Sequence, residues 1–166
     1  MLHADVAVVV PVFNRASAVL ETLATVARQT TPPRRLIVVD DGSTDGTAAA
    51  VRAWIARTKP AFEAFVVEQP NQGAGAARNR GIREIGDCRY IAFLDSDDHW
   101  PEDFLARTVE HMEASPAAVA ISADREYHRL WKSHIGRRSS GGLQHGATTW
   151  LLAGDCGIAS CTLFRS

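Results

Sequence analysis

A mostly parallel α/β sheet with helices on both faces is the fold class that this 166-residue sequence predicts, on three observations. Residues 6–10 (Val-Ala-Val-Val-Val) and 36–39 (Leu-Ile-Val-Val) are unbroken apolar runs rich in β-branched side chains. Such runs fit strands covered on both faces, whereas a half-exposed strand would alternate. Segments with helical apolar spacing follow these runs in a β-α-β-α order, which requires a parallel sheet. Polar residues and glycines then collect just past the strand ends, on the side where ligands bind in open α/β sheets.

The elements follow in order. The first strand, 6–10, ends at Pro11-Val12-Phe13-Asn14. Ser17 is placed to cap a helix over 17–29, with Val19, Leu20, Leu23 and Val26 on one face, and Pro32-Pro33 stops it. The second strand is 36–39. Gly42-Ser43 turns the chain into a helix over 44–57, with Val51, Trp54 and Ile55 inward. Residues 62–67 make a third strand, 75–85 a helix, 90–94 a fourth strand and 101–113 a helix. A fifth strand is expected at 118–122. Beyond Ala123 the chain turns polar and basic, and residues 125–138 read as a mobile loop or an amphipathic flap over the site. A short helix at 148–153 and a last strand at 160–164 complete the expectation.

Bulk properties narrow the function classes. Net charge is -1, so no global field draws the chain to nucleic acid or an anionic membrane. The basic stretch 125–138 with its interleaved aromatics is too short to change that. No apolar run reaches the roughly 20 residues of a membrane span. The first residues carry neither a basic n-region nor an h-region, so a cytoplasmic protein with at most peripheral membrane contact is expected. Three cysteines, Cys88, Cys156 and Cys161, are an odd number without CxxC spacing, which fits reduced thiols. Cys156, Cys161 and His145 match no standard zinc spacing.

The chemistry lies in the acidic strand ends. Asp95-Ser96-Asp97-Asp98, a DXD pattern, places three carboxylates within four residues after an apolar strand. Such a cluster invites a hard cation, Mg²⁺ or Mn²⁺, which takes one or two carboxylates and lets substrate phosphates supply further oxygens. Asp40-Asp41 after the second strand is another acidic end. The competing reading of Asp95–Asp98 is a solvated turn before the next helix, and Asp45 reads as first-turn helix charge.

In succession, Val10-Pro11-Val12-Phe13-Asn14, Val39-Asp40-Asp41-Gly42-Ser43-Thr44-Asp45, Asn71-Gln72-Gly73 through Ala77-Arg78-Asn79-Arg80-Gly81-Ile82, and Phe93-Leu94-Asp95-Ser96-Asp97-Asp98 resemble the motifs of family 2 glycosyltransferases with the GT-A fold. The resemblance spans residues 5–123. It implies transfer of a sugar from a UDP-, dTDP- or GDP-linked donor, inverting and metal-dependent, onto a sugar, lipid-linked or protein acceptor in polysaccharide biosynthesis. It implies that Phe13 lies on the base beside the Pro11-Val12 backbone, that Asp41 accepts from the base and that Asp40 supports the loop. The helix start at Gly75 would face the phosphates. Arg78 would reach the nucleotide or buttress the acidic loop, and both remain open. Asp95 with Ser96 would meet the ribose, and Asp97 with Asp98 would hold Mn²⁺ or Mg²⁺.

The sequence departs from the family in its second half. Members carry an acceptor-activating Asp in a Glu-Asp pair downstream of a segment like Ser160–Arg165, and this chain shows no such pair there. Asp155 is the fallback base. The expected division is therefore a donor-binding half, 1–123, and the start of an acceptor-side region, 124–166, truncated before the end of that half. Two alternatives follow: a nucleotide-sugar-binding module without catalysis, and a dinucleotide-binding oxidoreductase read from Gly73-Ala74-Gly75 with Asp95 as the ribose acid. In the second alternative Arg78 stands where a third glycine belongs, and Asp97-Asp98 go unexplained.

Overall fold

In a computed structural model, the strand expected at 6–10 is a nine-residue strand β1, Ala4–Val12, buried from Val6 to Val12. The structure describes residues 3–123, 125–126, 137–138 and 159–166. After β1 come α1 (Ala18–Ala27), β2 (Pro33–Asp40), α2 (Thr47–Thr58), β3 (Glu63–Glu68) and α3 (Ala74–Ile82). Then follow β4 (Tyr90–Phe93), α4 (Phe104–Ala114), β5 (Ala120–Ser122), the two-residue strands β6 (Arg125–Glu126) and β7 (Arg137–Arg138), a 3₁₀ turn (Ala159–Cys161) and β8 (Thr162–Arg165). The helix expected at 148–153 and most of the flap expected at 125–138 lie outside the described residues.

Six strands form one sheet in the order β3-β2-β1-β4-β8-β5, and β6 pairs with β7. The pairs β1–β2, β1–β4 and β2–β3 are parallel, while β8 runs antiparallel between β4 and β5. The sheet is thus mostly parallel, as the apolar runs require, with one reversed strand filling the gap that the α4 crossover leaves beside β4. β8 comes from the far side of the division expected at residue 123, yet it lies between two strands of the near side. Arg165 fixes its lower end, donating to the Ala118 carbonyl at 3.2 Å, the Met112 carbonyl at 3.2 Å and the Tyr90 hydroxyl at 3.4 Å.

Strand alternation sends successive side chains to opposite faces. Val6, Val8, Val10 and Val12 of β1 pack with Leu23 of α1, Trp54 of α2 and Leu105 of α4 in one core. Ala7 and Val9, with Ile37 and Val39 of β2, meet Ala77 of α3 in the other. α3 approaches the sheet so closely that a Cβ on Gly81 would stand 2.2 Å from Cγ1 of Val9. Only a residue without a side chain fits there.

Helix starts differ from the sequence expectation. α2 begins at Thr47 rather than residue 44, because the Asp45 carboxylate takes the Thr47 amide and hydroxyl and so satisfies the first turn from outside. α1 begins after Ser17, which makes no side-chain capping bond. α4 begins at Phe104, its amide turned onto the Pro101 carbonyl at 3.1 Å. Among the described residues no helix is long and apolar enough to cross a membrane.

Candidate functional site

The register pairs Val12 with Asp40 and Val9 with Phe93, so the carboxyl ends of β1, β2 and β4 form one rim. Past β1, Phe13 is 46% exposed, so its ring stands outside the core. Asn14 follows with a φ of 51°, in the left-handed region that Asn tolerates better than most residues. Its amide donates to Ser43 Oγ at 2.9 Å, and its Oδ1 accepts from the Thr44 amide at 2.8 Å. The Arg15 amide donates to Thr47 Oγ1 at 3.0 Å and the Ala16 amide to Asp45 Oδ2 at 3.1 Å. Asp45 is therefore more than first-turn charge: it clasps the β1 loop to the β2 loop. Those bonds, led by the Thr47 hydroxyl, hold its carboxyl below the usual carboxylate range.

Asp41 is buried and anchors the next loop. Its Oδ1 accepts from Gln69 Nε2 at 2.7 Å and the Gln72 amide at 3.0 Å, and its Oδ2 accepts from the Gly73 amide at 2.7 Å. Three of its roughly four acceptor positions are thus taken by the protein. Asp40 Oδ1 accepts from the Ser43 amide at 2.7 Å, and the buried Asp40 Oδ2 has no protein partner among the described residues. Loop support thus falls chiefly to Asp41, while Asp40 retains a buried oxygen free to accept. Gly42 is required here: its φ is 80°, and a Cβ would come within 2.8 Å of the Asn71 amide nitrogen.

The acidic loop after β4 hangs on Ser160. The Asp95 amide donates to Ser160 Oγ at 2.8 Å, and Trp100 Nε1 donates to the Ser160 carbonyl at 2.5 Å. The Asp98 amide closes a turn on the Asp95 carbonyl at 3.0 Å. Asp95 pairs with the Arg78 guanidinium, whose buried Nε has no partner among the described residues. Arg78 thus reaches the acidic loop from the side of α3. Asp97 is exposed and pairs with Arg15 at 3.0 Å, Asp98 is half-buried and Ser96 is buried.

The structure therefore brings Pro11, Val12, Phe13, Asp40, Asp41, Gly75, Arg78, Asp95, Ser96, Asp97 and Asp98 to one rim, at the ends of β1 and β2, in the loops after β1, β2 and β4, and in the first turns of α3. Gly75 lies exposed in the first turn of α3. The fallback base Asp155 lies outside the described residues. Among the described residues no three carboxylate, histidine or cysteine groups form a protein-only metal site. The donor set still fits a hard cation, because Asp97 offers a solvent-facing carboxylate and such ions complete their shell with phosphate oxygens and water. Sequence reasoning missed Ser160 and Trp100, since nothing local relates Ser160 to a loop 65 residues earlier. Gln69, just before the Asn71 motif, and the clasping role of Asp45, inside the 39–45 motif, are further contacts that the sequence does not announce.

Residues 7–165 match the family described as Glycosyl transferase family 2. This chain belongs to that family. The putative teichuronic acid biosynthesis glycosyltransferase TuaG of Bacillus subtilis (strain 168) is 36% identical over 117 residues, which are 70% of this chain and 45% of TuaG. The succinoglycan biosynthesis protein ExoO of Rhizobium meliloti (strain 1021) is 35% identical over 70% of this chain and 32% of its own length. This family 2 chain thus spans less than half the length of these curated relatives. Among solved structures, the mannosyltransferase PcManGT from Pyrobaculum calidifontis, in complex with GDP-Man and Mn²⁺, superposes with a TM-score of 0.65 at 35% identity, over 74% of this chain and 36% of that one. S. aureus TarS 1-349 in complex with UDP-GlcNAc gives a TM-score of 0.61 at 27% identity, over 69% and 32%. The fold is the GT-A fold of these glycosyltransferases, and the dinucleotide-oxidoreductase alternative gives way to the family 2 assignment.

Proposed function

We propose that this chain carries the donor-binding half of an inverting, metal-dependent glycosyltransferase, which moves a sugar from a UDP-, dTDP- or GDP-linked donor onto an acceptor hydroxyl. The observation that carries the reading is the convergence of exposed Phe13, the Asp40 and Asp41 carboxylates and exposed Asp97 on one rim. Relatives that bind GDP-Man with Mn²⁺ or UDP-GlcNAc on the same fold support the donor class.

In this reading Phe13 offers its ring to the base, a contact worth about 0.5–1.5 kcal/mol beyond the buried area. The remaining acceptor position of Asp41 takes a donor from the base edge, and Asp40, which holds the Ser43 amide, supports the loop. Asp95 and Ser96 meet the ribose, and the first turn of α3 turns free amides toward the phosphates. Asp97, with Asp98 beside it, holds Mn²⁺ or Mg²⁺. When bound, the cation offsets the charge that develops on the departing nucleoside diphosphate. Inversion calls for a carboxylate to take the acceptor proton, and Asp155 is the residue of this sequence to test for it. The acceptor is a sugar, lipid-linked or protein hydroxyl, met in the cytoplasm with at most peripheral contact to the membrane's inner face.

Thermal denaturation with UDP, GDP and dTDP, each with Mn²⁺, Mg²⁺ or EDTA, tests the reading. A nucleotide at a hundred times its Kd stabilises the fold by about 2.7 kcal/mol. At least one nucleotide is expected to raise the melting temperature, and to do so more with metal. No shift with any of the three, with either cation, overturns the proposal.

A further inference from the structure

Arg15 has its backbone fixed by the Thr47 hydroxyl, and its side chain spans from the β1 loop to the β4 loop to meet Asp97. The pair, Nη1 to Oδ2 at 3.0 Å, is half exposed on both sides, at 46% and 52%. The carboxylate it covers is the one the proposed function assigns to the cation, and this inference rests on that assignment. The neighbouring Asp95 is already held by Arg78, so the two arginines divide the acidic loop between them. Their settings differ: the Arg78–Asp95 pair is partly buried on both sides, at 26% and 29%, whereas the Arg15–Asp97 pair is the more open to water.

We propose that Arg15 is the resting counter-ion of Asp97, yields that carboxylate to the cation when donor arrives, and then serves as a positive contact for the donor's diphosphate. The charge balance supports this. Arg15 and Asp97 sum to zero. A divalent cation entering alone meets an unfavourable guanidinium and must displace it. A divalent cation arriving with a sugar-nucleotide diphosphate of charge -2 adds no net charge, and the displaced guanidinium, anchored at its root, faces phosphate oxygens. Arginine suits that exchange, since its planar fork fits carboxylate and phosphate alike. The consequence is selectivity: the loop discriminates against bare metal and in favour of metal with nucleotide.

The two halves of the proposal carry opposite signs, so one substitution tests both. Removing Arg15 should tighten binding of Mn²⁺ alone and weaken binding of nucleoside diphosphate alone. An exposed pair limits each effect to about two- to fivefold. The experiment is titration of Mn²⁺ by the loss of the free-ion paramagnetic resonance signal, together with calorimetric titration of UDP and GDP in EDTA. Both are run on the 166-residue chain, Arg15→Ala, Arg15→Lys, Asp97→Asn and the Arg15→Ala/Asp97→Asn double variant. The expected result is tighter Mn²⁺ and weaker nucleotide in Arg15→Ala, values nearer the parent in Arg15→Lys, and no effect of Arg15→Ala on Mn²⁺ once Asp97 is Asn. Unchanged or weaker Mn²⁺ binding in Arg15→Ala, in a parent that binds Mn²⁺ and nucleotide, overturns this inference and leaves the proposed function standing. A parent that binds neither overturns both.

Discussion

Asp41 and Asp97 are carboxylates on one rim with opposite surroundings, and these set different tasks. Asp41 is buried and accepts three bonds from residues 69–73, while Asp97 is exposed and, among the described residues, pairs with a half-exposed arginine. Asp97→Asn removes a ligand charge and no packing. It is expected to leave nucleotide affinity in EDTA near the parent's and to abolish the gain on adding Mn²⁺. Asp41→Asn places an amide group among donors, and leaving one such group unsatisfied costs about 1–3 kcal/mol. It should lower the melting temperature and weaken nucleotide binding equally with and without metal. Calorimetric titration of both variants in Mn²⁺ and in EDTA decides it, and a full metal gain retained by Asp97→Asn refutes the role given to Asp97. The sequence announced both residues as an acidic strand end but could not divide their labour. That division depends on which amides converge, and the amides of Gln72 and Gly73 belong to a loop some thirty positions away.

At the scale of elements, the acidic loop is held from across the sheet. Ser160 is buried in the turn that starts β8, and it receives the Asp95 amide and the Trp100 indole, so both ends of the loop rest on one residue. Ser160→Ala removes the oxygen that accepts from Asp95 and leaves that amide unpaired. The expected outcome is a loss of about tenfold in nucleotide affinity with Mn²⁺ and a much smaller loss in EDTA. Ser160→Thr, which keeps an acceptor, should restore most of it. An equal loss in both media would make Ser160 a fold contact and no positioning residue. The strands themselves were legible, since a strand covered on both faces has only one way to look: apolar at every position, as Val6–Val10 are. Helix starts were less so. The Asp45 carboxylate takes the Thr47 amide and hydroxyl and sets the start of α2 at Thr47, while its other oxygen meets the Ala16 amide only after β1 and β2 pair.

For the molecule as a whole, the division expected at residue 123 follows the sequence and not the sheet. The last strand of the chain lies between β4 and β5, with Leu163 fully buried and Thr162 buried beside it. Arg165 then ties the β8 end to the carbonyls of Ala118 and Met112 and to the Tyr90 hydroxyl. A chain ended at Ala123 would keep every nucleotide-side residue from Phe13 to Asp98, so the linear reading expects it to fold and bind. The sheet order predicts the contrary. Without β8, β4 becomes an open edge, β5 loses the strand it pairs with and the Asp95 amide loses Ser160. Burying Leu163 alone contributes about 1.5–3 kcal/mol. Together with the lost ladder and arginine bonds, at about 0.5–1.5 kcal/mol each, the deficit consumes much of the 5–15 kcal/mol that typically separates folded from unfolded chains. An unpaired edge also recruits other chains. The 1–123 piece is therefore expected to associate or to melt without a cooperative transition, whereas the 166-residue chain melts cooperatively. Sedimentation and thermal denaturation of the two side by side make the comparison. If the shorter piece stays monomeric with the parent's melting temperature, β8 is an accessory and the donor half is a domain in its own right.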